Sequence, residues 1–193
     1  MEVQAERQHA ARGASTEPEP VGRIPETPKA PLDLPEYQES IEAARRALAN
    51  LPEAPGVKTT AGVEGSSPTR SGYKPTKQFP MAEEATERAV AEGHEAGRAP
   101  EPHEFDRSAT AGSAGKVRGS HAEKQAAVLS PDDPVGVSKP MCSDCQAWFR
   151  QRAIDRGVPQ VVADPDGTRV FMPDGTVHFQ QHPEGFPGPR GNR

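Results

Sequence analysis

The chain is poor in the residues that build a large hydrophobic core. Leu, Ile, Val and Phe make up 28 of its 193 residues, and aromatic residues contribute only 5%. A share of about 15% lies below the roughly 20% at which a fully folded chain becomes doubtful. Proline and glycine, by contrast, account for 40 residues. This composition excludes one large globular domain that spans the whole chain.

The N-terminus lacks an apolar run, and the chain has only two cysteines. Residues 1–7 are polar and acidic, unlike a signal sequence or a membrane helix. We therefore expect no membrane partner, and either a cytoplasmic location or secretion by a route that needs no signal peptide. The cysteines, Cys142 and Cys145, have C-x-x-C spacing. In a reducing compartment this spacing indicates metal or redox chemistry.

Charge and apolar residues are distributed unevenly along the chain. Residues 1–116 carry 14 basic and 19 acidic side chains, whereas residues 117–193 carry nine of each. Because proteins that bind polyanions by bulk electrostatics are usually basic, the composition does not support such binding. The Leu, Ile, Val and Phe residues concentrate between positions 117 and 179, so we expect the folded domain there.

The pattern predicts five segments. Residues 35–51 have apolar side chains at spacings of three and four, which is typical of an amphipathic helix. A helix of this length is not stable alone, so we expect it to dock on the C-terminal domain or to bind a partner. The predicted segments are a disordered region at 1–34, the amphipathic helix at 35–51, a low-complexity linker with short strands or a helix at 52–116, the catalytic domain at 117–180 and a flexible tail at 181–193.

Within residues 117–180 the pattern predicts the order helix, strand, helix, strand, strand, strand. Asp-Pro-Asp-Gly at 164–167 and Pro-Asp-Gly at 173–175 are strong turn sequences, so the last three strands form an antiparallel meander. Gly157 lies where the second helix should be capped. This order predicts an α/β sandwich with helices packed on a small sheet.

Four residues form the motif that carries chemistry. His121 and Glu123 open the first helix, and Cys142 and Cys145 open the second. One neutral imidazole and two thiolates bind Zn²⁺ well and leave a fourth tetrahedral position for water, whose pKa falls towards about 7. A carboxylate two residues from the histidine could move the proton of that water. This combination is typical of hydrolytic deamination.

The arrangement resembles the zinc-dependent deaminase superfamily, whose signature is H-x-E followed by P-C-x-x-C. His121, Glu123, Cys142 and Cys145 match it position by position, although Met141 separates Pro140 from the first cysteine. The stretch at 119–125 and the hairpin after the second helix also resemble the deaminase domains of bacterial polymorphic toxins. The resemblance implies a small three-layer cytidine-deaminase-like sandwich with a mixed sheet and a C-terminal β-hairpin. It places two strands before the first helix, for which the candidates are residues 56–64 and 69–79.

The resemblance also implies roles and partners. His121, Cys142 and Cys145 would bind zinc, and Glu123 would be the proton shuttle. The substrate would be cytosine, with adenine second, in single-stranded or flipped-out nucleic acid or in a free nucleotide. A toxin would have a cognate immunity protein.

Simpler interpretations exist for the same residues. Glu123 follows Ser120 at the S-x-x-E spacing of a capping box, which would explain it without catalysis. The C-x-x-C could be a redox pair, or half of a structural zinc site closed by a further histidine. In the second case the protein would be a non-catalytic interaction protein, with the helix at 35–51 as its binding element. The candidates for the closing ligand are His103, His178 and His182.

Overall fold

A computed structural model describes residues 35–52, 56–95 and 115–189. The predicted disorder of residues 1–34 and the candidate ligand His103 lie outside these ranges. The described ranges contain helices and strands in an α/β arrangement. In chain order the elements are α1 (Pro35–Asn50), β1 (Thr60–Val63), β2 (Thr69–Arg70), α2 (Ala82–Glu95), α3 (Lys116–Gly119), α4 (Ala122–Leu129), β3 (Val135–Val137), α5 (Ser143–Arg156), β4 (Gln160–Asp164), β5 (Gly167–Phe171) and β6 (Val177–Gln180).

The strands form one mixed sheet in the order β2-β1-β3-β4-β5-β6. Only β3 and β4 pair in parallel, and the other neighbours are antiparallel. Thr60 of β1 lies opposite Arg70 of β2, and Ala61 lies opposite Val137 of β3. The start of β1 and the ends of β2 and β3 therefore share one edge of the sheet.

Helices cover both faces of the sheet, which makes a three-layer sandwich. One face packs against α1, where Ile41 and Leu48 are fully buried together with Val161 and Val170 of β4 and β5. The other face packs against α4 and α5, and α2 packs on α3 and α4; the core that these helices share with the sheet includes Phe149. The helix at 35–51 thus docks on the sheet, which is the first of the two outcomes its sequence allowed.

The predicted fold class is confirmed. The helices and strands predicted after residue 117 are present within a few residues of their expected bounds, and Gly157 caps α5 in the left-handed region at φ 65°. Both strand candidates before the first helix are also present, as β1 and β2. The boundaries of the catalytic domain, 117–180, stay a prediction, and both cores also contain residues from 35–95.

None of the helices in the described ranges combines the length and apolar content that a membrane span requires.

The closest approach between layers occurs where α1 crosses β3. A Cβ atom added to Gly136 would lie 2.2 Å from the backbone nitrogen of Leu48 and 2.6 Å from the carbonyl carbon of Ala47. Because backbone atoms form this contact, no side-chain rotation could relieve it. Gly136 thus allows α1 to lie directly on the centre of the sheet. Its register partner Gly62 is less crowded, since a Cβ atom there would meet Pro68 at 3.4 Å.

We expect Gly136→Ala to destabilise the protein by about 3 kcal/mol or more, because overpacking against backbone cannot relax locally. Thermal unfolding followed by circular dichroism measures this loss. Gly62→Ala is the matched control on the neighbouring strand and should cost less than about 1 kcal/mol. Equal effects of the two changes would contradict the close packing of α1 on β3.

Candidate metal centre

Two helices begin side by side at the candidate site. His121 is the N-cap residue of α4 and Cys142 is the N-cap residue of α5, and both have an extended backbone. Cys145 follows in the first turn of α5. Helix N-termini carry unpaired N–H groups and a partial positive charge, which favour thiolates and other anions. The fold therefore gathers the predicted metal ligands at two positively polarised helix ends.

The ring of His121 lies close to both sulfur atoms. Its Nδ1 atom is 3.0 Å from Sγ of Cys145 and 3.5 Å from Sγ of Cys142. Ligand atoms bound tetrahedrally to one zinc ion, at about 2.0–2.1 Å for nitrogen and about 2.3 Å for sulfur, are about 3.6 Å apart. The spacing and the donor set both fit a single zinc ion.

An acidic residue completes the cluster. A carboxylate oxygen of Asp144 lies within 4.8 Å of the ligand atoms of His121, Cys142 and Cys145. Asp144 is also paired with Nζ of Lys124 at 2.6 Å and with Nη1 of Arg118 at 3.4 Å. Burial raises the pKa of Asp144, but the charges of Lys124 and Arg118 outweigh it, so the net pKa is lowered. Asp144 is therefore an anion whose two oxygens already have cationic partners.

Contacts and burial within the cluster shift the pKa values of both cysteines and of His121. A hydrogen bond with Cys145 and contacts with His121 lower the pKa of Cys142 to about 4, although burial opposes them. Burial raises the pKa of Cys145 well above its usual value. Burial also lowers the pKa of His121, but the hydrogen bond to Cys142 and the charge of Glu123 outweigh it and raise the pKa overall. A cation bound to Cys145 would offset the cost of burying its thiolate, because a thiol that coordinates a metal ion is deprotonated.

Access to the cluster is one-sided. Cys145 is buried, His121 and Asp144 are half-buried, and Cys142 is exposed. A small molecule or a base can therefore approach from the side of Cys142.

Glu123 lies beside the cluster, in the first turn of α4. Its side chain is buried, and its negative charge raises the pKa of both His121 and Cys145. The capping-box interpretation is wrong, because α4 begins after His121 and the hydroxyl of Ser120 donates to the carbonyl of Val117 at 2.8 Å. Helix capping by Ser120 therefore does not explain a buried carboxylate at this position.

The remaining histidine candidates lie elsewhere. Among the residues that the structure describes, neither His178 nor His182 belongs to the cluster. His178 is on β6, and Nε2 of His182 lies 2.6 Å from the carbonyl oxygen of Asp164. Trp148 and Phe149, which follow the cysteines, are buried in the core and pack edge-to-face.

A buried carboxylate positions the loop that carries Cys142. Oδ2 of Asp164 accepts a hydrogen bond from the backbone N–H of Met141 at 2.8 Å and from Nη1 of Arg169 at 2.7 Å. Oδ1 of the same residue accepts from the N–H groups of Asp166 and Gly167 in the β4–β5 turn. Sequence reasoning assigned Asp164 to the turn alone, because its contact with Met141 spans 23 residues. Met141, the extra residue between Pro140 and Cys142, is thus the residue that anchors the loop.

A comparison with known protein families adds evidence that is independent of the geometry of the cluster. The structure is an α/β fold with a mixed six-stranded sheet and a potential His/Cys/Cys metal site. Residues 68–127 match the family described as single-strand DNA deaminase toxin A, C-terminal. The matched segment is just under a third of the chain; it includes His121 and Glu123 and ends before Cys142. No curated protein gives a significant match to the chain. The predicted resemblance to deaminase toxins is confirmed, and the match supports a hydrolytic deaminase.

If the cluster binds one zinc ion through three protein ligands, we expect His121→Ala, Cys142→Ser and Cys145→Ser each to lower the zinc content from about one ion per chain to near zero. Zinc content of the purified protein, measured by mass spectrometry, tests this. His178→Ala is the control and should keep the metal. Asp144→Asn should also keep it; if that change removes the zinc, a carboxylate closes the site and the structural-zinc interpretation gains.

We expect Asp164→Asn to destabilise the protein by about 3 kcal/mol or more, because it breaks a buried ion pair. Zinc affinity should fall as well, since the loop before Cys142 loses its anchor. Asp166→Asn, two residues away and exposed, is the control. Thermal unfolding and zinc titration well below the melting temperature separate the two effects, and an unchanged zinc affinity in the folded variant would refute the positioning role of Asp164.

Proposed function

We propose that the protein is a zinc-dependent hydrolytic deaminase that converts cytosine in single-stranded nucleic acid to uracil and releases ammonia. The observation that supports this most directly is the cluster of His121, Cys142 and Cys145 with the buried carboxylate of Glu123 beside it. The choice of a single strand follows from the name of the matched family. Adenine is the second candidate base, and a free nucleotide is the alternative substrate.

In this proposal His121, Cys142 and Cys145 hold the zinc ion. When bound, zinc supplies Lewis-acid activation of water near neutral pH. Deamination adds water across the C4=N3 double bond of cytosine, so that oxygen bonds to C4 and a proton to N3. The C4–N4 bond then breaks, and the exocyclic amine leaves as ammonia. The reaction therefore needs a group that moves one proton from water to N3 and a second from the C4 hydroxyl to the amine.

Glu123 is the residue that we assign to this proton transfer. Its carboxylate accepts a proton from the attacking water and donates it to ring nitrogen N3. It then accepts the proton of the new hydroxyl at C4, as that group becomes the carbonyl, and transfers it to the leaving amine. The negative charge of Glu123 raises the pKa of both His121 and Cys145, which supports this assignment. The N-termini of α4 and α5 favour the negative charge that develops when water adds to the ring.

The base must be unpaired to reach this site. A base in a duplex is stacked and hydrogen-bonded, so it would have to be flipped out before it could approach the metal ligands. Single strands avoid most of this cost. The exposed position of Cys142 is compatible with entry of one base from the surface.

The toxin resemblance suggests a biological setting. We propose that a cognate immunity protein protects the cell that makes this chain, and that the chain acts on nucleic acid in a cytoplasm. We place the catalytic machinery within residues 117–180, with the sheet completed by β1 and β2.

We expect Glu123→Gln to reduce deamination by about 10²- to 10⁴-fold, because the amide cannot accept or return a proton. Zinc content and melting temperature should be nearly unchanged, since the side chains have similar shape. Uracil formation in a single-stranded cytosine oligonucleotide, followed by mass spectrometry together with ammonia release, measures the loss.

The matched control is Glu83→Gln, which removes an exposed carboxylate on α2 and should leave the rate unchanged. Sequencing of cells that express the intact protein or the Glu123→Gln variant identifies the base, as C-to-T or A-to-G changes. If the zinc-loaded protein releases no ammonia from any base, nucleoside or single strand, the non-catalytic interpretation replaces this proposal.

A further inference from the structure

A cavity lies between the approach to β1, the loop after β2 and the start of α2. Its volume is about 240 Å³. Most of its wall comes from the loop that follows Arg70, and this loop is hydrogen-bonded to the residue before His121. Its lining side chains include those of Lys58, Arg70, Ser71, Tyr73, Lys74 and Phe79.

The cavity is locally basic in a chain whose net charge is −5. Residues 56–80 carry four basic side chains and one acidic side chain, Glu64. Glu64 is already paired with Arg46 through two hydrogen bonds of 2.8 and 3.0 Å. Across the described parts of the chain, no carboxylate forms an ion pair with the lysines or the arginine of the cavity wall. The positive charge is therefore available to an anionic ligand.

One cation is held by the cavity wall and a second lies close to it. The guanidinium carbon of Arg70 lies 4.7 Å from the centre of the Phe79 ring, which is itself buried. Nζ of Lys58 lies near the loop, 3.5 Å from where a Cβ atom at Gly72 would be. Lys74 is exposed at the rim. The three cations thus come from two separate segments and face one space.

The cavity wall is tied directly to the metal cluster. The N–H of Gly72 donates to the carbonyl of Ser120 at 3.0 Å, and Ser120 immediately precedes His121. The side-chain amide of Gln125, which is 1% exposed, donates to the carbonyl oxygens of Arg70, Gly72 and Ser120 at 3.3, 3.1 and 2.9 Å. The loop and the N-terminus of α4 are therefore one hydrogen-bonded unit. The pairing of β1 with β2 and β3 also puts the loop at the sheet edge from which the chain continues to Cys142.

We propose that this cavity binds the sugar-phosphate backbone of a single-stranded polynucleotide beside the nucleotide whose base enters the metal site. The inference rests on the proposed function and adds to it a substrate-binding site. Lys58, Arg70 and Lys74 neutralise phosphates, and the half-buried ring of Tyr73 offers a surface on which a neighbouring base stacks. Cations combined with an aromatic ring are typical of single-strand binding, whereas duplex binding needs a longer basic surface.

The test is the binding of a fluorescently labelled oligothymidine to the full-length, zinc-loaded protein, measured by anisotropy over a range of salt concentrations. Thymine has no exocyclic amine, so binding is measured without any reaction. We expect Lys58→Gln with Lys74→Gln to weaken binding by about tenfold and to reduce the slope of log K against log[salt] by about 1.4, since each phosphate contact on a single strand contributes about 0.7. Tyr73→Leu should weaken binding with the salt slope unchanged, because stacking releases no counterions.

The matched control compares two single variants, Lys77→Gln and Lys74→Gln. The two changes remove the same charge three residues apart, but only Lys74 lines the cavity. We expect Lys77→Gln to change the affinity by less than about twofold. Zinc content and melting temperature of every variant are measured alongside, so that loss of the fold is not mistaken for loss of binding.

Three outcomes would overturn the inference: unchanged binding in the double lysine variant, an equal loss in Lys77→Gln, or displacement of the oligothymidine by thymidine monophosphate or inorganic phosphate at concentrations near its own. The last would assign the cavity to a free phosphate.

A failure of this binding proposal can be told apart from a failure of the proposed function. If the lysine variants lose binding as expected but no form of the protein deaminates, the binding site is supported and the proposed enzymatic function is refuted. If the protein deaminates an oligonucleotide but the lysine variants bind it normally, the enzymatic function is supported and the binding site is refuted.

Discussion

The meeting of two helix N-termini at the ring of His121 is the constraint on which the rest of the site depends. The ring contacts a sulfur from each end of the C-x-x-C, and both His121 and Cys142 occupy N-cap positions. The unpaired N–H groups of the two helices give the site a positive polarity. Thiolates, a cation and an acid can then coexist in a small volume without a large net charge.

Two polar networks maintain this meeting point. On one side Asp144 joins the start of α5 to α4 through buried Lys124. On the other side Asp164 holds the loop before Cys142 and orders the β4–β5 turn at the same time. Both networks pair a carboxylate with a buried cation, which is stabilising only when every partner is present. The geometry of the sulfur atoms therefore depends on contacts far apart in the sequence.

The spacing of the motif identified three of the four residues that the structure brings together, because helix starts and turns are marked by local residues such as Pro140 and Gly157. Asp144, the fourth, was not among the predicted ligands. The role of α2 was not predictable, because its buried side consists of small residues such as Ala85 and Thr86 rather than a stripe of large apolar ones. The net charge of the N-terminal half does not reveal the basic segment at 56–80, because the many acidic side chains elsewhere in that half outweigh the local excess of lysine and arginine. The ion pair of Lys124 with Asp144 could not be predicted either, because two residues 20 positions apart leave no local pattern in the sequence.

The position of β1 has a consequence for how the chain can be divided. β3 pairs with β1 on one side and β4 on the other, and α1 covers the face where Gly136 admits its backbone. A fragment that starts at residue 117 would leave Val135 and Val137 on an unprotected edge strand, with one apolar face of the sheet in water. Such edges recruit other strands and favour aggregation. The segment upstream of the His/Cys motif therefore covers the sheet, and without it the half of the chain that carries the motif would self-associate.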